Sequence, residues 1–186
     1  MAQTKEAKDF LKRLDALPVH HGVNLGPAIK PSLDDETALR RLFATDRANG
    51  RLQDPLVGLV DLFGEDTERI KKTHERLIHT PEDLEKHYVM PLTEKRRKDG
   101  TPSMVSDIDN FKSQWSIFTE GALSQLTDWS NVFAAGGSVL ACLSPLPDSV
   151  VKQGSKRAIR KYYHREAYPS SDIDLFLYGL TPAEVR

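Results

Sequence analysis

The chain has 186 residues, with 26 lysines and arginines against 27 aspartates and glutamates, so no overall basic field requires nucleic acid or membrane as a partner. No apolar run approaches the length that spans a bilayer, and the first residues lack the apolar core of a secretory signal. Cys142 is the only cysteine, which excludes an intrachain disulfide and fits a reducing compartment. We therefore expect an intracellular protein, cytoplasmic or nuclear, with no membrane partner.

The first third of the chain is predicted to be helical. Four apolar residues at helical spacing precede Pro18 and predict a first helix: Phe10, Leu11, Leu14 and Leu17. The segment His20 to Ser32 contains two glycines and two prolines and is predicted to be irregular. The segment Asp34 to Asn49 returns to a helical pattern, which Asn49-Gly50 ends.

Two more helices are predicted before residue 80. One begins at Pro55, which suits a first helical position, and runs through Phe63 to the break at Gly64. The charged segment Glu65 to Leu77 has a narrow apolar stripe and predicts a solvated surface helix. We assign residues 1–93 to a helical region, which is where we would expect a protein partner to bind.

Residues 94–102 are the best candidate for a linker, because four consecutive basic residues followed by Asp99-Gly100 cannot supply buried surface. The segment beyond it carries an apolar and aromatic stripe at helical spacing and predicts one long amphipathic helix. Its members are Ile108, Phe111, Trp115, Phe118, Leu123 and Leu126. The aromatic stripe is most simply explained as a face packed into a core.

The segment Asn131 to Leu143 predicts a short apolar strand, a glycine turn and a helix that begins near Ser138. Free backbone N–H groups at the start of a helix form an anion site, and the Ser138 hydroxyl would add one hydrogen bond to a phosphate. The same Gly136-Gly137-Ser138 pattern is also common in ordinary strand-to-helix turns.

The segment Ser171 to Leu180 alternates and predicts a second strand with Asp172, Asp174, Phe176 and Tyr178 on one face. Two like charges on one strand favour a divalent cation with a preference for oxygen between them. The alternative is a strand end in solvent, where both carboxylates are merely hydrated. The apolar residues around them favour burial close by.

The glycine turn followed by Asp-Ile-Asp on a second strand resembles the signature of nucleotidyltransferases of the DNA polymerase beta superfamily. The longer pattern from Trp129 to Leu180 is also similar to largely fungal proteins without an established activity. The resemblance implies that Gly136, Gly137 and Ser138 bind the nucleotide triphosphate. It implies that Asp172 and Asp174 are the catalytic carboxylates and hold magnesium.

In that family a third carboxylate lies on a later strand, and the two motifs are closer together than here. Residues 139–171 would therefore form an insertion, predicted to be a surface loop with a short helix near Lys156 to His164. Too few residues follow Asp174 for another strand, and Thr181 to Glu184 has the pattern of a helix start. We interpret the domain as truncated and its catalytic set as incomplete.

Three other patterns in the sequence bear on function or local structure. The insertion is locally basic, which suits either a phosphate contact or, more simply, a solvated helix face; its basic residues are Lys152, Lys156, Arg157, Arg160, Lys161 and Arg165. His74 and His79 are spaced too far apart for a zinc protease motif. Asp107 is predicted to cap the helix that follows it.

The predicted fold class is α+β, a helical N-terminal region followed by an incomplete nucleotidyltransferase-like mixed sheet in residues 103–186. The predicted function is the binding of a magnesium nucleotide triphosphate and transfer of a nucleotidyl group to an acceptor that the sequence does not identify. The alternative is a non-catalytic protein-interaction module that retains a degenerate scaffold of the same kind. A first structural test is that strands 131–135 and 172–178 are neighbours in one sheet.

Overall fold

The structure, a computed structural model, describes residues 4–18, 25–54, 56–75 and 97–185. The chain divides into two compact units, Met1–Thr101 and Pro102–Arg186, called here the N-terminal and C-terminal units. The boundary lies inside segment 94–102, whose role as a linker stays a prediction. Within the described residues, no helix is both long and apolar enough to cross a bilayer.

The first helix of the N-terminal unit, α1 (Lys5–Asp15), confirms the sequence prediction. The Thr4 hydroxyl caps it by accepting a hydrogen bond from the backbone N–H of Ala7 at 3.1 Å. Ala7 and Leu11, four residues apart on one helix face, are its buried residues. This short stripe forms much of the small apolar interior of the unit.

The second helix, α2 (Gly26–Thr45), begins earlier than predicted. The prediction of an irregular segment from His20 to Ser32 is wrong from Gly26 onward, and residues 20–24 lie outside the described ones. Pro27 stands in the first turn, where the missing N–H has no intrahelical partner to lose, and Pro31 is accommodated inside the helix. None of the α2 residues, all of which the structure describes, is buried.

Ion pairs connect these two helices to a short 3₁₀ turn, Gly50–Gln53. The Arg13 guanidinium on α1 lies 3.1 Å from Asp35 on α2. The Arg51 guanidinium in the turn donates a hydrogen bond to Glu6 on α1 at 2.7 Å, and this bond raises the pKa of Arg51. The elements of the unit are therefore held together by partly exposed charged groups as much as by apolar burial.

The two helices predicted between Pro55 and Leu77 are wrong within the described residues, which form turns from residue 56 to residue 71. Gly58 has a φ of 76°, and a Cβ there would lie 2.9 Å from Leu39 Cδ1, so the chain breaks away from helical geometry at a close contact. The Asp54 and Asp61 side chains accept hydrogen bonds from the backbone N–H of Leu56 and Phe63, which stabilises turns instead of helix.

The C-terminal unit begins with α3 (Ile108–Phe118), capped by Asp107 as predicted. Asp107 accepts a hydrogen bond from the Asn110 backbone N–H at 2.8 Å, and this bond lowers the pKa of the carboxyl. The helix is shorter than predicted because Glu120 and Gly121 both have a positive φ, 52° and 75°. Residues 119–125 form turns, so Leu123 and Leu126 do not continue the helical stripe.

The sheet within the described residues has two antiparallel strands, β1 (Val132–Ala135) and β2 (Asp174–Leu177). The predicted neighbourhood of the two strands is confirmed. The register pairs Phe133 with Phe176 and Ala135 with Asp174. Asn131, just before β1, donates from its side-chain amide to the Tyr178 carbonyl at 2.9 Å and so fastens the far end of the ladder.

The insertion between the strands is helical over most of its length. It contains α4 (Gly137–Leu143), α5 (Asp148–Val151), α6 (Lys156–Lys161) and a π-helical turn, Tyr162–Ala167. The predicted helix near Lys156 to His164 is confirmed. The prediction of a surface loop is wrong at Ala141, Cys142, Val150 and Tyr163, which are all buried.

The core of the C-terminal unit is aromatic. Phe118, Ala141, Cys142 and Tyr163 form its buried cluster. The Phe118 and Tyr163 rings meet edge to face with centroids 5.2 Å apart, and the Tyr163 hydroxyl donates to the Gln114 side chain. Burial raises the pKa of the Cys142 thiol to about 12. Helices packed beside a small sheet make the fold α+β, as predicted.

Candidate functional site

The glycine turn connects β1 directly to α4. Gly136 is the N-cap residue of α4, with φ 82° and ψ −155°. Residues other than glycine rarely adopt this backbone conformation. Among the described residues, no side chain caps this helix. The first N–H groups of a helix lack intrahelical partners, and both glycines of the turn are exposed, so these donors are accessible at the surface.

The Asp174 carboxylate lies against this turn. Asp174 pairs with Ala135, the last residue of β1, so its side chain reaches the residue that follows. A Cβ placed on Gly136 would lie 2.7 Å from Asp174 Oδ2, closer than such atoms approach in proteins. The glycine thus serves two needs: it permits the positive φ, and it leaves room for the carboxylate.

Asp172 occupies a different position from the one predicted. The ladder ends at the pair of Ala135 and Asp174, because the partner chain turns away at Gly136. Asp172 therefore precedes β2 and is not part of the ladder, whereas the prediction put it on the strand. Both carboxylates are exposed, as are all four residues of β2, so the burial expected around them is limited to Ile173, which is half-buried.

Ser138 is the residue of the predicted phosphate turn whose side chain points inward. Its relative exposure is 1%, and its hydroxyl has no hydrogen-bond partner among the described residues. Ser138 lies one turn before Ala141 and Cys142, the two α4 residues of the core, and so shares their buried helix face. The backbone N–H groups of the two exposed glycines, not this hydroxyl, are therefore the candidate donors to a phosphate.

The side-chain oxygen atoms near the turn show whether a magnesium ion would fit this site. Asp174 lies at the turn, and Asp172, two residues before it, is also exposed; carboxylates are ligands of the hard oxygen type that magnesium prefers. Magnesium commonly keeps several waters and binds proteins through one or two carboxylates together with substrate phosphates. In the part of the chain that the structure describes, no group of three or more histidine, cysteine, aspartate or glutamate side chains is placed to hold a metal. The residues therefore fit a metal shared with a phosphate better than an all-protein cage.

The basic residues of the insertion are exposed. Arg160 forms an ion pair with Glu120, and Lys161 lies 3.0 Å from Glu166. The Arg160 and Lys161 side chains remain 62% and 64% exposed in these pairs, so neither is buried away from a ligand. A phosphate contact by these residues stays a prediction.

Phe133 belongs to the site region although the sequence analysis did not select it. Its ring stacks on that of Phe176 with centroids 5.2 Å apart, two cross-strand pairs along from Asp174. The letter pattern gave only an apolar residue in a short strand. Two features of the sequence could have indicated Phe133. It is an aromatic residue in the strand before the glycine turn, and the second strand carries Asp-x-Phe on one face.

The chain matches no family model, no curated protein and no solved structure in comparisons with each. The resemblance to nucleotidyltransferases therefore depends on the turn, the carboxylates and their geometry.

Proposed function

We propose that this chain binds a magnesium nucleotide triphosphate at the turn between β1 and α4, as part of a nucleotidyltransferase-like protein. The observation that supports this most directly is the Asp174 carboxylate packed against Gly136. Two motifs separated by residues 139–171 meet there, and a carboxylate beside a phosphate-binding turn is the arrangement that a metal-bridged phosphate requires.

Each group has a separate task in this proposal. The backbone N–H groups of the exposed Gly136 and Gly137 bind phosphate oxygens. Asp174 and Asp172 hold magnesium, which when bound offsets phosphate charge and lowers the pKa of a coordinated oxygen. The Ser138 side chain is buried on the core side of α4 and does not touch the ligand.

The described residues support nucleotide binding, which is the first part of the proposal. Transfer of a nucleotidyl group needs the third carboxylate, which the family resemblance assigns to a later strand. We therefore expect this chain to bind Mg-ATP or Mg-GTP weakly and to release them unchanged.

The test is a calorimetric titration of the chain with ATP and with GTP, each in the presence and in the absence of magnesium. Wild type and Asp174→Asn are compared. Removing one formal charge from the metal ligands is expected to weaken magnesium-dependent binding about tenfold or more. Asp148→Asn is the matched control, because Asp148 is an exposed carboxylate in the first turn of α5, outside the proposed site.

Two results would contradict the proposal. Wild type that binds neither nucleotide would remove its basis. Asp174→Asn that behaves like Asp148→Asn would show that the carboxylate at the turn has no part in metal-dependent binding.

The second candidate is a protein-interaction module that retains this scaffold without nucleotide binding. The surface of α2 favours it, since Ile29, Leu33 and Phe43 lie on one helix face and are 40%, 52% and 53% exposed. Wild type that fails to bind nucleotide, with Leu33→Ser and Phe43→Ser still folded, would leave this candidate as the better account.

A further inference from the structure

One face of the sheet carries a cluster of three aromatic rings. Alternation along β2 puts Phe176 and Tyr178 on the same side as Asp174, and the register adds Phe133 from β1. The Phe133 ring is stacked on Phe176 at 5.2 Å, with an interplanar angle of 13°, and lies 5.8 Å from the Tyr178 ring. We call these three residues the aromatic face.

The aromatic face is open to solvent. Its members are 47%, 48% and 53% exposed for Phe133, Phe176 and Tyr178. Ile173, which alternation puts on the opposite side of the strand, packs against the core formed by α3, α4 and the π-helical turn. The helical core therefore covers the end of the other side and leaves the aromatic face free.

The aromatic face continues directly from the candidate phosphate site. Asp174 and Phe176 are two positions apart on β2, which corresponds to roughly 7 Å along a strand. One ribose unit bridges a distance of that order between a base and its first phosphate. Exposed rings next to a phosphate site can hold a nucleobase by stacking, which every base permits because each has a flat π surface.

We propose that the aromatic face binds the base of the nucleotide whose phosphates lie at the Gly136 turn. This inference rests on the proposed function and adds to it the residues that recognise the base. Because stacking does not read hydrogen-bonding groups, the face accepts adenine and guanine alike. Purines, with the larger ring system, bind more tightly than pyrimidines.

The experiment compares Mg-ATP with magnesium tripolyphosphate, which has the phosphates but no base. Phe176→Ala is expected to raise the Kd for Mg-ATP about tenfold and to leave tripolyphosphate binding unchanged. Leu177→Ala is the matched control, since Leu177 is the next residue of the same strand, is 53% exposed and points to the opposite side. It is expected to change neither Kd.

Phe176→Leu guards against a folding artefact, because leucine keeps an apolar side chain on the strand but has no ring to stack. It too is expected to weaken Mg-ATP binding selectively. Tryptophan fluorescence during urea unfolding verifies that each variant has a wild-type transition.

Each other outcome has a distinct meaning. Wild type that binds tripolyphosphate and Mg-ATP with equal affinity overturns the aromatic face as a base site and leaves the phosphate site standing. Wild type that binds neither overturns the proposed function itself. If Phe176→Ala instead abolishes self-association in sedimentation velocity without affecting nucleotide, the face is an interface between copies, and the base site is overturned.

Discussion

The two units of the chain are stabilised by different kinds of contact. In the N-terminal unit, α2 buries none of its described residues, and guanidinium–carboxylate pairs such as Arg51–Glu6 connect separate elements. In the C-terminal unit, the Tyr163 and Phe118 rings are buried together with α4 residues. Each partly exposed ion pair contributes little to the free energy of unfolding, whereas a buried aromatic side chain removes a large apolar area from water. Among the described residues, the candidate site lies in the unit with the buried aromatic cluster, which suits a site that depends on a fixed turn.

The largest effect is expected from Tyr163→Ala. Removal of a fully buried ring leaves a cavity and should lower the free energy of unfolding of the C-terminal unit by about 3–5 kcal/mol. Both tryptophans, Trp115 and Trp129, belong to this unit, so their fluorescence in urea measures its stability specifically. Tyr163→Phe, which loses only the hydrogen bond to Gln114, should cost about 1 kcal/mol.

A cost for Tyr163→Ala no larger than that of Tyr163→Phe would break the comparison. It would mean that the aromatic cluster is not what stabilises the C-terminal unit.

An intermediate effect is expected at the glycine turn. Gly136→Ala forces a side chain into a glycine-only backbone region and against Asp174 Oδ2, and should cost about 2 kcal/mol or more. Gly137→Ala is the matched control, since a Cβ there meets nothing within 4 Å and alanine favours the helix that Gly137 begins. It should be neutral or slightly stabilising in the same fluorescence assay.

Equal costs for the two alanine variants would contradict this assignment, because the turn would then tolerate a side chain at either position. The two variants also test the position of the Asp174 carboxylate, because only Gly136→Ala is expected to displace it.

The smallest effect is expected from Arg51→Met in the N-terminal unit. The Arg51 and Glu6 side chains are 29% and 38% exposed, so loss of their 2.7 Å pair should cost less than about 1 kcal/mol and should matter less at high salt. Hydrogen exchange of the α1 amides at low and high salt measures it. Arg40→Met is the control, because the Arg40 and Glu36 side chains are 79% and 54% exposed and lie on one helix.

If Arg51→Met and Arg40→Met changed exchange equally, the cross-link between elements would have no special role. If the Arg51→Met effect were independent of salt, packing of the arginine stem instead of its charge would explain it.

The sequence by itself determined the features that depend on residues a few positions apart. The Asp107 cap and α1 follow from side chains close to the backbone groups they satisfy. The alternation in the second strand and the glycine turn after the first predicted the two strands. That the strands are neighbours was predicted from the resemblance of their two motifs to one family signature. The α+β class follows from these elements.

Only the tertiary structure decided which of those residues are buried and which meet. Ser138 turns inward because its helix face also carries Ala141 and Cys142, and Tyr163 completes their core from far along the chain. Asp172 falls outside the ladder because the partner strand ends at the turn, a property of the register and not of the Asp-x-Asp letters. Gly136 is required by a carboxylate that is distant in sequence. Contacts between distant segments depend on how the whole unit packs, which local patterns do not contain.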